Sequence, residues 1–292
     1  TGYLITIKIA LVMRIQELKL HLLCEFKYYY LQIKIGAIRL DFIKYRERFL
    51  KKGCFKVDHL FSSEEVESII RDLESTQSGT RYLDDKSNLR RIEGIVCNVK
   101  STKLANERIL NMLKNVFQPM TLFKDKYNVK PPKGEGFYAH YDGIFIWKDE
   151  NGVNRNGWYE YSEEFFNVLI ALDKCDAENG TLEVVEQNNT NLTFKELLEH
   201  TKNNGTPELK PEIENKMKFK KINLEPGDVV VFSHTSPHRS EANNSERHRR
   251  ILYFTYNKAI DGDHYSQYFL DKKMSNKESK TSKALSSRKS PI

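Results

Sequence analysis

Cysteine is scarce in this chain of 292 residues: Cys24, Cys54, Cys97 and Cys175 are widely spaced and form no CxxC pair. That excludes a disulfide scaffold and a cysteine-based zinc site, and it predicts reduced thiols in an intracellular, cytoplasmic setting. Long hydrophobic runs are missing too. The apolar stretch from Leu4 to Met13 is broken by Lys8, far short of the roughly 20 residues a bilayer span needs. It is compatible with a targeting segment, so the N-terminal part leaves organelle import open. No repeat at solenoid spacing occurs.

The formal charge of +7 is not carried by the middle of the chain. Residues 1–56 contribute +8 and residues 271–292 contribute +5, which leaves −6 for 57–270. A groove that neutralises phosphates needs its cations clustered on the folded domain, so no nucleic-acid partner is expected. The expected organisation is an N-terminal extension of unknown role (1–39), a catalytic domain (40–270) and a disordered, Lys/Ser-rich basic tail (271–292).

Hydrophobic residues at 39% and aromatics at 11% suffice for one substantial core. Ser62-Ser-Glu-Glu-Val66 is a capping box that opens a helix through about Leu73. From Met120 onward short β segments dominate: Leu122–Val129, Gly136–Tyr141, Phe165–Asp173, Thr181–Val185, Phe219–Leu224, Asp228–His234 and Arg250–Tyr256. Many short strands joined by turns such as Glu178-Asn-Gly180 and Glu225-Pro-Gly-Asp228 predict a sandwich or barrel. The polar stretch Asn188–Met217 reads as a surface excursion with a short helix at Thr193–His200.

His140-Tyr-Asp142 sets two metal-ligand side chains two residues apart, and on a strand such residues share a face. A third ligand must come from elsewhere, and His238 closes Ser236-Pro-His238 directly after the apolar strand Val229–Phe232. Two imidazoles and one carboxylate leave three coordination positions open, as in non-haem Fe(II) oxygenases, for an oxidising co-substrate and dioxygen. His234 competes as a ligand, but it lies within the strand and not at its end. A lone His-x-Asp is a weak signal; the weight comes from Ser240, Asn243 and Ser245, followed by Arg249-Arg250 opening another strand. A dicarboxylate that chelates iron through its 2-oxo acid end needs a cation for its far carboxylate, and arginine clamps it with two hydrogen bonds. Arg249 is the choice. Arg250 must point to the opposite face and is expected in a surface ion pair.

The series His140-Tyr-Asp142, Asn179-Gly-Thr-Leu182, Pro226-Gly-Asp228, His238-Arg-Ser240, Asn243, Arg249 and Tyr256-Asn257 resembles the phytanoyl-CoA dioxygenase-like family over roughly Leu40 to Asn257. The resemblance implies a mainly β fold with flanking helices, a double-stranded β-helix of jelly-roll, cupin-like type. It implies Fe(II) as metal, with 2-oxoglutarate and O2 as co-substrates. It places the co-substrate arginine on Arg249 and matches Ser240 and Asn128 to positions that contact the co-substrate.

For the substrate, the aromatic segment Phe145, Trp147, Trp158, Tyr159 and Tyr161 reads as a pocket cap or a packed lid. Leu122-Phe-Lys-Asp-Lys126, with Asn128, Lys130 and Gly136-Phe137, looks similar to family members that act on phosphonates. Lys124, Lys126, Lys130 and Arg239 are then candidate anion contacts, although most of these lysines are expected to be solvent-exposed. Phe145, Trp147, Tyr159, Lys130 and Arg239 are the expected substrate contacts. The expected function is oxidation, by hydroxylation, of a small polar or zwitterionic metabolite such as an amino-acid derivative or an aminophosphonate. The alternatives are oxidative cyclisation or desaturation of an amino-acid-derived natural product, as kainoid synthases perform, and a non-catalytic β-helix that only binds ligands.

Overall fold

The computed structural model describes residues 41–187, 189, 191–202 and 205–283. The extension 1–39 and residues 284–292 of the tail lie outside the described residues. The chain divides into two compact units between Arg46 and Glu47. Of the first, 41–46 are described and helical.

Helical residues 47–52 (α1) lead through Gly53 into β1 (Cys54–Val57). The capping box opens α2 (Ser63–Ser75): Ser62 Oγ accepts from the Glu65 N–H and Glu65 accepts from the Ser62 N–H. Val66, Ile69 and Leu73 form the buried stripe of that helix. A hairpin, β2 (Thr80–Leu83) and β3 (Leu89–Glu93), precedes α3 (Lys100–Val116), which buries Ala105, Ile109, Met112, Leu113 and Val116.

The strands that follow are β4 (Met120–Lys130), β5 (Phe137–His140), the short hairpin β6 (Trp147–Lys148) and β7 (Asn154–Arg155), then β8 (Phe165–Ala171) and β9 (Glu183–Val185). After helices α4 (Phe194–Glu199) and α5 (Pro211–Glu214) come β10 (Phe219–Lys221), β11 (Val229–Ser233), β12 (His238–Ser240) and β13 (Arg249–Lys258). A seven-stranded sheet runs β1-β11-β8-β13-β4-β3-β2, and a four-stranded one runs β10-β9-β12-β5. Every residue of β8 and β11 is buried, the continuous pattern of strands covered on both faces. Leu169, Ala171, Val230, Phe232 and Ile251 of the large sheet pack with Leu182 and Val184, at and in the small sheet's β9. The two sheets thus close face to face as a double-stranded β-helix, as expected.

Two expectations need correction. The strand ending in the metal motif stops at His140, so Asp142 lies in the following turn, held there by its N–H donating to the His234 carbonyl at 3.0 Å. The tail is not structureless from 271: helix α6 spans Tyr265–Lys283. Tyr268 packs against Phe123 with ring centroids 4.6 Å apart, the Tyr265 hydroxyl donates to Asp125, and Lys272 donates to Glu93 at 2.6 Å. A few anchors hold the start of a helix whose Lys/Ser-rich composition conceals it. No described helix is long and apolar enough to cross a membrane.

Candidate active site

Antiparallel pairing of β12 with β5 sets His238 directly opposite His140, with ring centroids 4.2 Å apart. Asp142 then brings Oδ1 to 3.9 Å from His140 Nε2 and Oδ2 to 3.5 Å from His238 Nε2. The three ligand atoms lie within 4.8 Å of one another.

Each ring is aimed by its other nitrogen. His140 Nδ1 meets the Tyr138 carbonyl at 2.8 Å, and His238 Nδ1 meets that of Ser236 at 3.1 Å. A carbonyl only accepts, so both Nδ1 atoms carry the proton and both Nε2 lone pairs are free for a metal. Burial, then the neighbouring His238, pushes His140 down to about 3. Burial lowers His238 as well. Burial would raise Asp142, but His238, Lys126 and Lys124 hold it well below the ordinary carboxylate range. Asn167 Nδ2 donates to Asp142 Oδ2 at 2.9 Å and is itself oriented by the Thr255 hydroxyl. Two neutral imidazoles and an oriented carboxylate fit a divalent iron.

A cavity of about 320 Å³ opens over this cluster. That volume is at the small end for ligand sites and suits a co-substrate with a small metabolite. Asn128, Ser240 and Arg249 line it. Arg249 is 2% exposed and gives Nη1 to the Gly180 carbonyl at 2.8 Å, while its buried Nε makes no hydrogen bond. An orphaned guanidinium donor in the cavity wall fits the far carboxylate of a dicarboxylate. Gly180 must be glycine: φ is +67°, and a Cβ there would collide with the Glu241 carbonyl and Lys130 Nζ. Arg250 points the other way, into Asp173 at 2.8 Å and Glu74 at 2.7 Å, as strand alternation requires.

Phe145, Trp147 and Arg239 line the cavity. Arg239 is already spent on Glu183 and Glu214. Two expected contacts fall outside. Tyr159 packs on Phe194 and His234 away from the cavity. Lys130 is fully buried behind it, donating to Ser240 Oγ at 2.9 Å, the Gly180 carbonyl at 3.2 Å and the Glu241 carbonyl. His234 does not join the ligand cluster; its Nδ1 accepts from the Phe165 N–H at 3.2 Å. Lys124 and Lys126 are not solvated: both are part-buried and face the cavity.

Sequence reasoning missed Arg91 and Glu93 on β3, Tyr253 on β13, and Tyr268, Asp271 and Lys272 on α6, all lining the cavity. Tyr253 is four residues past Arg249, on the same strand face, which is a usable signal. Asn167 was equally legible as the one polar residue in Phe165–Ala171. Arg91 and Glu93 carry no local signal, because the pairing of β3 with β4 brings them in.

Residues 49–251 match the model of the phytanoyl-CoA dioxygenase family (PhyH). The chain belongs to that family. Among its relatives is a methylphosphonate hydroxylase of Gimesia maris, 32% identical over 158 residues, covering 54% of this chain and 53% of the relative. A 2-aminoethylphosphonate dioxygenase of an uncultured bacterium is 28% identical over 189 residues, covering 63% and 65%. The chain thus spans between about half and two thirds of the length of these relatives. Of solved structures, the epimerase SnoN in complex with Fe3+, alpha-ketoglutarate and nogalamycin RO is similar at a TM-score of 0.59 and 17% identity, over 75% of this chain and 84% of that one. In this PhyH family member His140, Asp142, His238 and Arg249 line one cavity.

Proposed function

We propose that the chain is an Fe(II)- and 2-oxoglutarate-dependent dioxygenase that hydroxylates a small polar metabolite, an amino-acid derivative or aminophosphonate in chemical kind. The reading rests on one observation, the convergence of His140, Asp142 and His238 with both Nδ1 atoms tied to backbone carbonyls. In it these three residues hold the iron, Arg249 holds the far carboxylate of 2-oxoglutarate, and Ser240 and Asn128 flank that co-substrate. Bound Fe(II), with 2-oxoglutarate and O2, supplies oxidation of a substrate C–H bond as 2-oxoglutarate leaves as succinate and CO2.

The protein's own part is positioning. Asn167 keeps Asp142 turned toward the histidines, Gly180 offers its carbonyl to Arg249, and Trp158, Tyr161 and Tyr268 wall the cavity against water. No side chain is asked to act as a general base. The names of two relatives support a phosphorus-bearing substrate. The free thiols of Cys54, Cys97 and Cys175 fit an intracellular enzyme with a small-molecule partner.

Anaerobic titration with Fe(II) and 2-oxoglutarate tests the reading. A weak visible charge-transfer band should appear, vanish in Asp142→Ala and in His238→Ala, and persist in His234→Ala. Its absence in iron-loaded wild type would leave a ligand-binding β-helix without this chemistry.

A further inference from the structure

We propose that Lys124 and Lys126 form a cradle for a dianionic tetrahedral oxyanion, the head group of a phosphonate or a phosphate monoester, so that the site selects substrate by charge state. This rests on the iron and 2-oxoglutarate reading and adds to it a substrate class with the residues that recognise it.

The two lysines are i and i+2 on β4 and both line the cavity. Asp125 between them is on the opposite face, spent on the N–H groups of Gly94, Ile95 and Val96. Glu93, across from Lys126 in the β3–β4 register, is taken by Arg91, Lys272 and the Tyr82 hydroxyl. Among the described residues neither ammonium has a hydrogen bond or ion pair to an oxygen. Lys124 Nζ sits 4.2 Å from the centroid of Trp158, and Lys126 Nζ 4.7 Å from that of Tyr253. A cation–π contact returns only part of what taking an ammonium out of water costs. The deficit shows in the lysines themselves: burial lowers Lys124 and brings Lys126 down to about 8.

The other cavity charges cancel. Arg91 and Lys272 are balanced by Glu93 and Asp271, and Arg239 with Lys221 by Glu183 and Glu214. In the loaded site, Fe(II) and Arg249 balance Asp142 and the two carboxylates of 2-oxoglutarate. An arriving dianion holds Lys124 and Lys126 protonated, and their two positive charges then match it. Lysine binds phosphate as a point charge, and two mobile ammonium groups can follow a three-oxygen phosphorus head.

Calorimetric titration of the full chain, anaerobic with Fe(II) and 2-oxoglutarate, tests this with methylphosphonate, methyl phosphate and methanesulfonate above the second ionisation of the phosphorus acids. The sulfonate has the same shape and one charge fewer. At least one phosphorus dianion should bind about tenfold or more tighter than the sulfonate, and the tighter of the two names the source. Lys124→Met and Lys126→Met should each lose most of that preference. Sulfonate affinity within about threefold of both dianions in the wild type overturns the cradle without recourse to any variant. So do variants that fold and keep the full preference. The charge-transfer band, recorded on the same samples, separates the two ideas. A band without dianion preference sinks the cradle alone, and dianion preference without a band sinks the iron reading alone.

Discussion

Lys126 and Lys130 lie on the same strand, four residues apart, and both are withdrawn from water, yet they are built for different ends. Lys130 has three oxygen acceptors, from Gly180, Ser240 and Glu241, and Asn243 closes the loop beside it through the carbonyls of Lys130, Pro131 and Arg247. Lys126 has an aromatic face and no oxygen. A buried ammonium whose donors are satisfied is part of the scaffold, and one whose donors are free has been left for something that arrives. Sequence alternation puts both on one face; only the acceptors distinguish them.

Opposite substitutions should therefore split stability from binding. Lys130→Met strips three oxygens of a shared donor at once and should lower unfolding stability by about 2 kcal/mol in urea. It should also weaken 2-oxoglutarate binding, since Gly180 and Ser240 lose their common anchor. Lys126→Met removes a charge with no oxygen partner and should leave stability within about 1 kcal/mol of wild type, or raise it. Equal losses of stability in both variants would erase the distinction. Gly180→Ala, smaller in chemistry, forces a Cβ onto a residue at φ +67° that abuts the Glu241 carbonyl. It should cost about 1–2 kcal/mol and raise the 2-oxoglutarate concentration needed for half-maximal band intensity, with iron retention unchanged.

How much of this was written locally in the chain follows from what each residue depends on. His140, Asp142, His238 and Arg249 are legible by residue type and spacing at strand ends, and the pairing of β12 with β5 then brings the histidines together. The boundary at His140 was not, since the turn carrying Asp142 is fixed by the distant His234 carbonyl. Arg91 and Glu93 reach the cavity through sheet order, and Tyr268 and Lys272 through a helix whose composition reads as solvated tail. Tyr159 failed for a related reason: neighbouring aromatics in a loop go to different sides, and Trp158 and Tyr161 took the cavity. The metal ligands are local pattern, and the substrate wall is topology.

Arg249 and Arg250 offer the mildest version of the same contrast. Arg250 gives two guanidinium donors to Asp173 and one to Glu74, and Asp173 raises its affinity for its proton. Its side chain is 24% exposed and Glu74 is 58% exposed, so solvent screens much of the pairing. Arg250→Met should cost about 1 kcal/mol in urea unfolding and leave the 2-oxoglutarate titration where it was. Arg249→Met should do the reverse, weakening 2-oxoglutarate strongly while iron binding holds, because its buried Nε and Nη1 face the cavity and the Gly180 carbonyl and no carboxylate of the protein. If Arg250→Met moved the 2-oxoglutarate midpoint and Arg249→Met did not, the strand register that assigns these neighbours to opposite faces would be wrong by one residue.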